Sequence, residues 1–107
     1  MELDEALLRE LIDRLQRLDA GETLPVEALT EYAPDTVAVH MHWLRNAGLA
    51  TASGRVGRPD RLTGLTAASA GLCETARDDD AWAALVERLR RYPAHQVATA
   101  LYALTRR

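Results

Sequence analysis

Leu3, Leu7, Leu8, Leu11, Ile12, Leu15 and Leu18 recur three and four residues apart, a spacing that puts them on one helical face. It predicts an amphipathic helix over about residues 3–19, closed by Gly21. Thr23-Leu24-Pro25 reads as a short extended stretch, followed by two turns of helix from Val26 to Tyr32 with Val26, Ala28 and Leu29 turned inward. Ala33-Pro34-Asp35 breaks that helix, because proline disfavours a helical residue before it and Asp35 is suited to an N-cap. A third helix, Thr36 to Ala47, then ends at Gly48, which tolerates the left-handed C-terminal position.

The texture changes after Gly48. Leu49–Ser53 and Arg61–Leu65 read as strands around a Gly/Pro turn, Gly54 to Asp60, and so as a β-hairpin. Thr66 is placed to cap a fourth helix through about Ala76. Asp78-Asp79-Asp80 is placed to cap a fifth, Ala81 to Tyr92, with its acids at the positive end. Pro93 ends that helix and introduces a last one, Ala94 to Thr105, with Leu85, Leu89, Val97, Leu101 and Leu104 as the apolar seam. The expected core contains Leu7, Leu11, Leu15, Leu29, Val37, Met41, Leu44, Leu62, Leu65, Leu72, Trp82, Leu85 and Leu101.

Helix, short strand, helix, turn, helix, hairpin is the plan of a winged helix-turn-helix. The expected fold is mostly α with a small β-hairpin: one domain over residues 1–107, its winged helix at about 3–76 and a helical extension at about 78–105. The phrase Leu44-Arg45-Asn46-Ala47-Gly48-Leu49 resembles the Leu-x-x-Ala-Gly-Leu ending of the recognition helix in bacterial winged-helix regulators. A narrower resemblance follows the hairpin. Leu65, Thr66, Ala76, Arg77, Asp78, Asp79 and Trp82 stand in the register of the YjcQ-like group, small winged-helix families of unknown function common in phages, prophages and mobile elements. The chain departs from that pattern at Ala67, where a Trp is usual, and at Ser69, where a Gly is usual. The resemblance runs from about Leu24 to Leu104 and implies a fold without an activity.

Composition narrows the function classes. The 107 residues are 48% hydrophobic and 27% charged, a globular mixture, and Phe is absent, so Leu, Val and Ala fill the core. No apolar run approaches the roughly 20 residues of a bilayer span, and the acidic start is unlike a secretory signal. A cytoplasmic protein is expected. Cys73 is the only cysteine, which excludes an internal disulfide. His40 and His42 point about 200° apart on a helix and cannot chelate one metal. No phosphate loop, nucleophile elbow or metal-binding helix pair is present, so neither catalysis nor a cofactor is expected.

Charge is distributed unevenly. Residues 1–35 carry ten acids against three Arg, whereas residues 36–64 carry Arg45, Arg55, Arg58 and Arg61 against Asp60 alone. A basic hairpin beside a helix-turn-helix points to phosphate contacts. Duplex DNA is then the expected partner, touched by Thr36, Val39, His42, Arg45 and Asn46 of the third helix and by Arg55, Arg58 and Arg61 of the wing. Such regulators commonly dimerise, and Tyr92, Tyr102 and Leu101 are the exposed candidates for a seam between C-terminal helices. The alternative is an inhibitor of a host defence protein, such as an anti-CRISPR. It would use an apolar face of Ala38, Val39 and Trp43, with Tyr102, and the acidic amino-terminal third.

Overall fold

A computed structural model of the chain describes residues 2–55 and 57–106. Helix α1, Glu5–Gln16, is capped by the Asp4 carboxylate, which accepts from the Leu7 N–H at 3.0 Å. Its buried stripe is Leu7, Leu8, Leu11, Ile12 and Leu15. The helix ends well before Gly21. There the Asp19 N–H bonds the Glu22 carboxylate and the Glu22 N–H returns to the Asp19 carbonyl, a reciprocal turn that competes with further helix.

Strand β1, Leu24–Pro25, leads into one 3₁₀ turn, Val26–Ala28, and not into the expected two-turn helix. The backbone leaves helical geometry at Leu29 (φ −100°, ψ 74°), whose side chain is buried. Helix α2, Pro34–Asn46, starts two residues earlier than expected. Pro34 occupies its first turn, where a missing N–H costs nothing, and Ala33 replaces Asp35 at the cap. Asp35 lies inside the positive end of the helix. At the other end Gly48 has φ +75°, and Gly48 and Leu49 donate to the Arg45 and Leu44 carbonyls, both at 3.0 Å.

Strands β2, Ala50–Arg55, and β3, Arg58–Leu65, form the hairpin. Together with β1 they make an antiparallel sheet in the order β1-β3-β2. The strands extend further than expected and absorb most of the predicted Gly54–Asp60 turn; Val56 of that turn lies outside the described residues. Gly54 makes this pairing possible: its φ is +105°, and a Cβ there would come within 2.6 Å of the Asp60 nitrogen. β1 pairs only with Arg61 and Leu62, so Pro59 interrupts no ladder on that side.

A 3₁₀ turn at Ala67–Ser69 opens helix α3, Ala70–Ala76. Thr66 is not its side-chain cap. Its hydroxyl donates to the Gly48 carbonyl at 2.6 Å, tying the end of β3 to the end of α2. Helix α4, Asp79–Leu89, is capped by Asp78, which accepts from Asp80 and Ala81. A 3₁₀ turn at Ala94–Gln96 precedes helix α5, Val97–Thr105.

One hydrophobic cluster runs through all five helices and the sheet. Arg9 clamps α1 to the α3–α4 junction by donating twice to the Ala76 carbonyl (3.0 and 2.8 Å) and pairing with Asp79 at 2.7 Å. Every expected core residue is buried except Leu65, which is half-buried at the end of β3 opposite Ala50. Leu101 is fully buried, which removes it from any seam between copies. The molecule is mostly helical with a small three-stranded antiparallel sheet. No helix among the described residues is long and apolar enough to cross a membrane.

Candidate nucleic-acid interface

α2 is packed on by the sheet, by α1 and by α5. Val37, Met41 and Leu44 are wholly buried, as their spacing predicts. Ala38 and Trp43 are buried too, at 4% exposure each, which corrects their expected placement on the outer face. Ala38 lies against the hairpin beside Gly54, Arg55 and Pro59. Trp43 meets His40 edge-on, with ring centroids 4.7 Å apart, and His40 in turn is bonded to the amino-terminal segment at Asp4. A helix covered from three directions needs apolar residues around most of its circumference. Its local pattern alone does not tell which apolar residue remains outside.

Asp35, Val39, His42 and Asn46 remain outside, spaced four, three and four residues apart along one stripe. Val39 and His42 are half-buried and Asp35 and Asn46 exposed, so the stripe is a shallow ridge. Thr36 lies at its margin, half-buried, with its carbonyl committed to the His40 ring. His40 is structural. Its Nε2 accepts the Asp4 N–H at 2.9 Å, so Nδ1 carries the proton and donates to the Thr36 carbonyl at 2.7 Å. Burial pushes its pKa below the usual histidine value, against smaller opposing effects of the Thr36 carbonyl and Asp4.

The hairpin arginines flank this ridge, but not as a loose basic tip. Arg58 pairs with Asp35 in the first turn of α2. Arg61 pairs with Asp60 at 3.5 Å and donates to the Thr23 hydroxyl at 3.3 Å. Arg45 donates to the Arg55 carbonyl at 3.4 Å. The Arg55 side chain makes no ion pair among the described residues. The expected Arg cluster is therefore half neutralised in place, by Asp35 and Asp60. Asp35 was expected at the start of this helix and Asp60 in the hairpin, but neither was expected to pair with these arginines.

His42, Arg45, Asn46 and Gly57 enclose a concavity of about 180 Å³ between α2 and the hairpin. Tyr102 lies with Asn46 and Ala47 on the α5 side of α2, whereas Ala38 lies against the hairpin. Tyr92 is exposed near Leu3 and Val97, at a separate place. Comparison with protein-family models, with curated proteins and with solved structures found no match. Chemically, the ridge offers a half-buried imidazole and an exposed amide for hydrogen bonding, the half-buried Val39 methyl groups, and guanidinium groups along one side. Cys73 is buried on α3, its thiol 3.8 Å from the Ser69 hydroxyl. Among the described residues no cluster of His, Cys, Asp and Glu is arranged to hold a metal.

Proposed function

We propose that this chain is a winged-helix protein that binds duplex DNA as a regulator of a phage or other mobile element. The element order supports the winged-helix reading, with α2 as recognition helix and the β2–β3 hairpin as wing in a sheet ordered β1-β3-β2. The resemblance to the YjcQ-like group supplies the phage and mobile-element setting. One observation carries the reading most: the outward stripe of α2 ends in His42 and Asn46, with Arg45 beside it bonded to the carbonyl of Arg55, whose side chain makes no ion pair among the described residues.

In this reading α2 enters the major groove. Asn46 and His42 hydrogen-bond base edges, Val39 meets thymine methyl groups, and Arg45 and Arg55 hold phosphates on one strand. Arg58 and Arg61 reach phosphate only in competition with Asp35 and Asp60. The acidic α1 then has to face away from the duplex. A homodimer would present two copies of α2 to two half-sites, and its seam would have to use Tyr92 or Tyr102 without Leu101.

The second reading, an anti-CRISPR-like inhibitor of a host defence protein, loses most of its apolar face. With Ala38 and Trp43 buried, only Val39 of that face is left. Titration of a fluorescent random-sequence duplex at low salt tests the proposal. Saturable binding that weakens steeply with added salt is expected, and no binding at the lowest salt removes the DNA reading.

A further inference from the structure

Asn46 stands between two concavities. The one shared with His42, Arg45 and Gly57 belongs to the duplex-binding face proposed above. The other, of about 270 Å³, lies on the far side and is shared with Ala47, Ala98, Thr99 and Tyr102. Tyr102 is 41% exposed, as is Tyr92 elsewhere on the surface at 42%. Arg106, one helical turn on, holds its guanidinium 5.9 Å above that ring. Thr99 is exposed one turn before it. The whole of α5 contains no acidic residue, in a chain that carries sixteen.

This flank therefore presents two hydroxyl donors and one cation, without a carboxylate from its own helix. Such a set donates to the anionic oxygens of a phosphate backbone, and the stiff phenol ring holds its hydroxyl at a defined height. We infer that α5 is the second flank of the duplex-binding surface, with Thr99, Tyr102 and Arg106 contacting phosphates beyond the C-terminal end of α2. The inference rests on the duplex reading and extends it, since the hairpin alone grips only one side of the ridge. A second copy of the chain is the competing occupant. It is disfavoured by charge, because this face offers Arg106 and no carboxylate of α5, so a copy of the same face supplies no acid to pair with it.

The test compares wild type with Tyr102→Phe, Arg106→Gln and, as a control on the hairpin side, Arg55→Ala, by salt-dependent duplex titration and by sedimentation velocity. Arg106→Gln should flatten the log–log salt slope by about 0.9, the contribution of one phosphate. Tyr102→Phe keeps the ring and should weaken binding about three- to tenfold for every sequence, the range of one lost hydrogen bond. Neither variant should change the sedimentation coefficient. If Arg55→Ala flattens the slope while both α5 variants bind as wild type does, α5 is no part of the surface and the duplex reading survives. If the α5 variants shift the protein from dimer to monomer, the face belongs to a second copy. Wild type that fails to bind at low salt overturns the duplex reading and this inference together.

Discussion

Arg58 in β3 is ion-paired with Asp35 in the first turn of α2, joining residues 23 apart in sequence and fastening the hairpin across the start of the helix. Both side chains are mostly exposed, at 64% and 70%, so the pair contributes at most about 1 kcal/mol to stability. Its larger consequence is electrostatic. Asp35 occupies the positive end of α2, a natural place for an anion, and holds a guanidinium that the proposed duplex complex would otherwise use.

Asp35→Asn should therefore tighten duplex binding at every sequence and steepen the salt slope by about one unit, as Arg58 becomes free for phosphate. Its melting temperature should change little. Anisotropy titrations at three or more salt concentrations check this, and an unchanged slope would show that Arg58 does not reach the backbone.

His42→Ala and Asn46→Ala should act differently from charge changes. Each should cost about 1–3 kcal/mol at the preferred site, with little effect on random duplex and none on the salt slope. Competition between a selected site and random DNA measures the distinction. Uniform loss across sequences would place these side chains on the backbone instead.

His40 makes stability depend on pH. It is neutral and buried, and its folded pKa lies below the ordinary value of about 6.5. The unfolded chain then binds a proton that the folded chain refuses. The contribution is intact above about pH 6.5 and is lost progressively as pH falls from there toward the lowered folded value. Urea denaturation between about pH 7.5 and 5 should show this loss, and His40→Gln should flatten that part of the profile. A wild-type profile that is flat, or that rises on acidification, contradicts the assignment.

Trp43→Ala separates the core from the interface. Removal of a buried indole should destabilise the fold by about 3–5 kcal/mol, measured by thermal or chemical denaturation. A loss below about 1 kcal/mol would mean that Trp43 is peripheral.

Local chemistry made much of this architecture readable. The Gly48 ending of α2, the Asp78 cap of α4 and the inward faces at Val37, Met41 and Leu44 follow from spacing and from one or two residue types. The misplacements have tertiary causes. Trp43 is interior on a helix packed on by the sheet, α1 and α5, which no pattern within residues 34–46 announces. The 3₁₀ turn at Val26 ends because Leu29 is drawn into the core. Within the candidate site, Val39, His42, Asn46 and Arg55 were legible as residue types suited to DNA. The Asp35–Arg58 pair was not, since an ion pair between a helix and a hairpin strand has no signature in either segment.

The duplex-binding account is tested most directly by the salt dependence of random-duplex affinity for wild type and for Arg55→Ala/Arg58→Ala. Each phosphate neutralised contributes about −0.9 to the log–log slope, so the double variant should bind more weakly at all sequences, with a slope about one to two units flatter. The lower figure holds if Asp35 keeps Arg58 from phosphate in the complex. Equal affinity and slope for the two proteins, or wild type that does not bind duplex at low salt, would contradict the account.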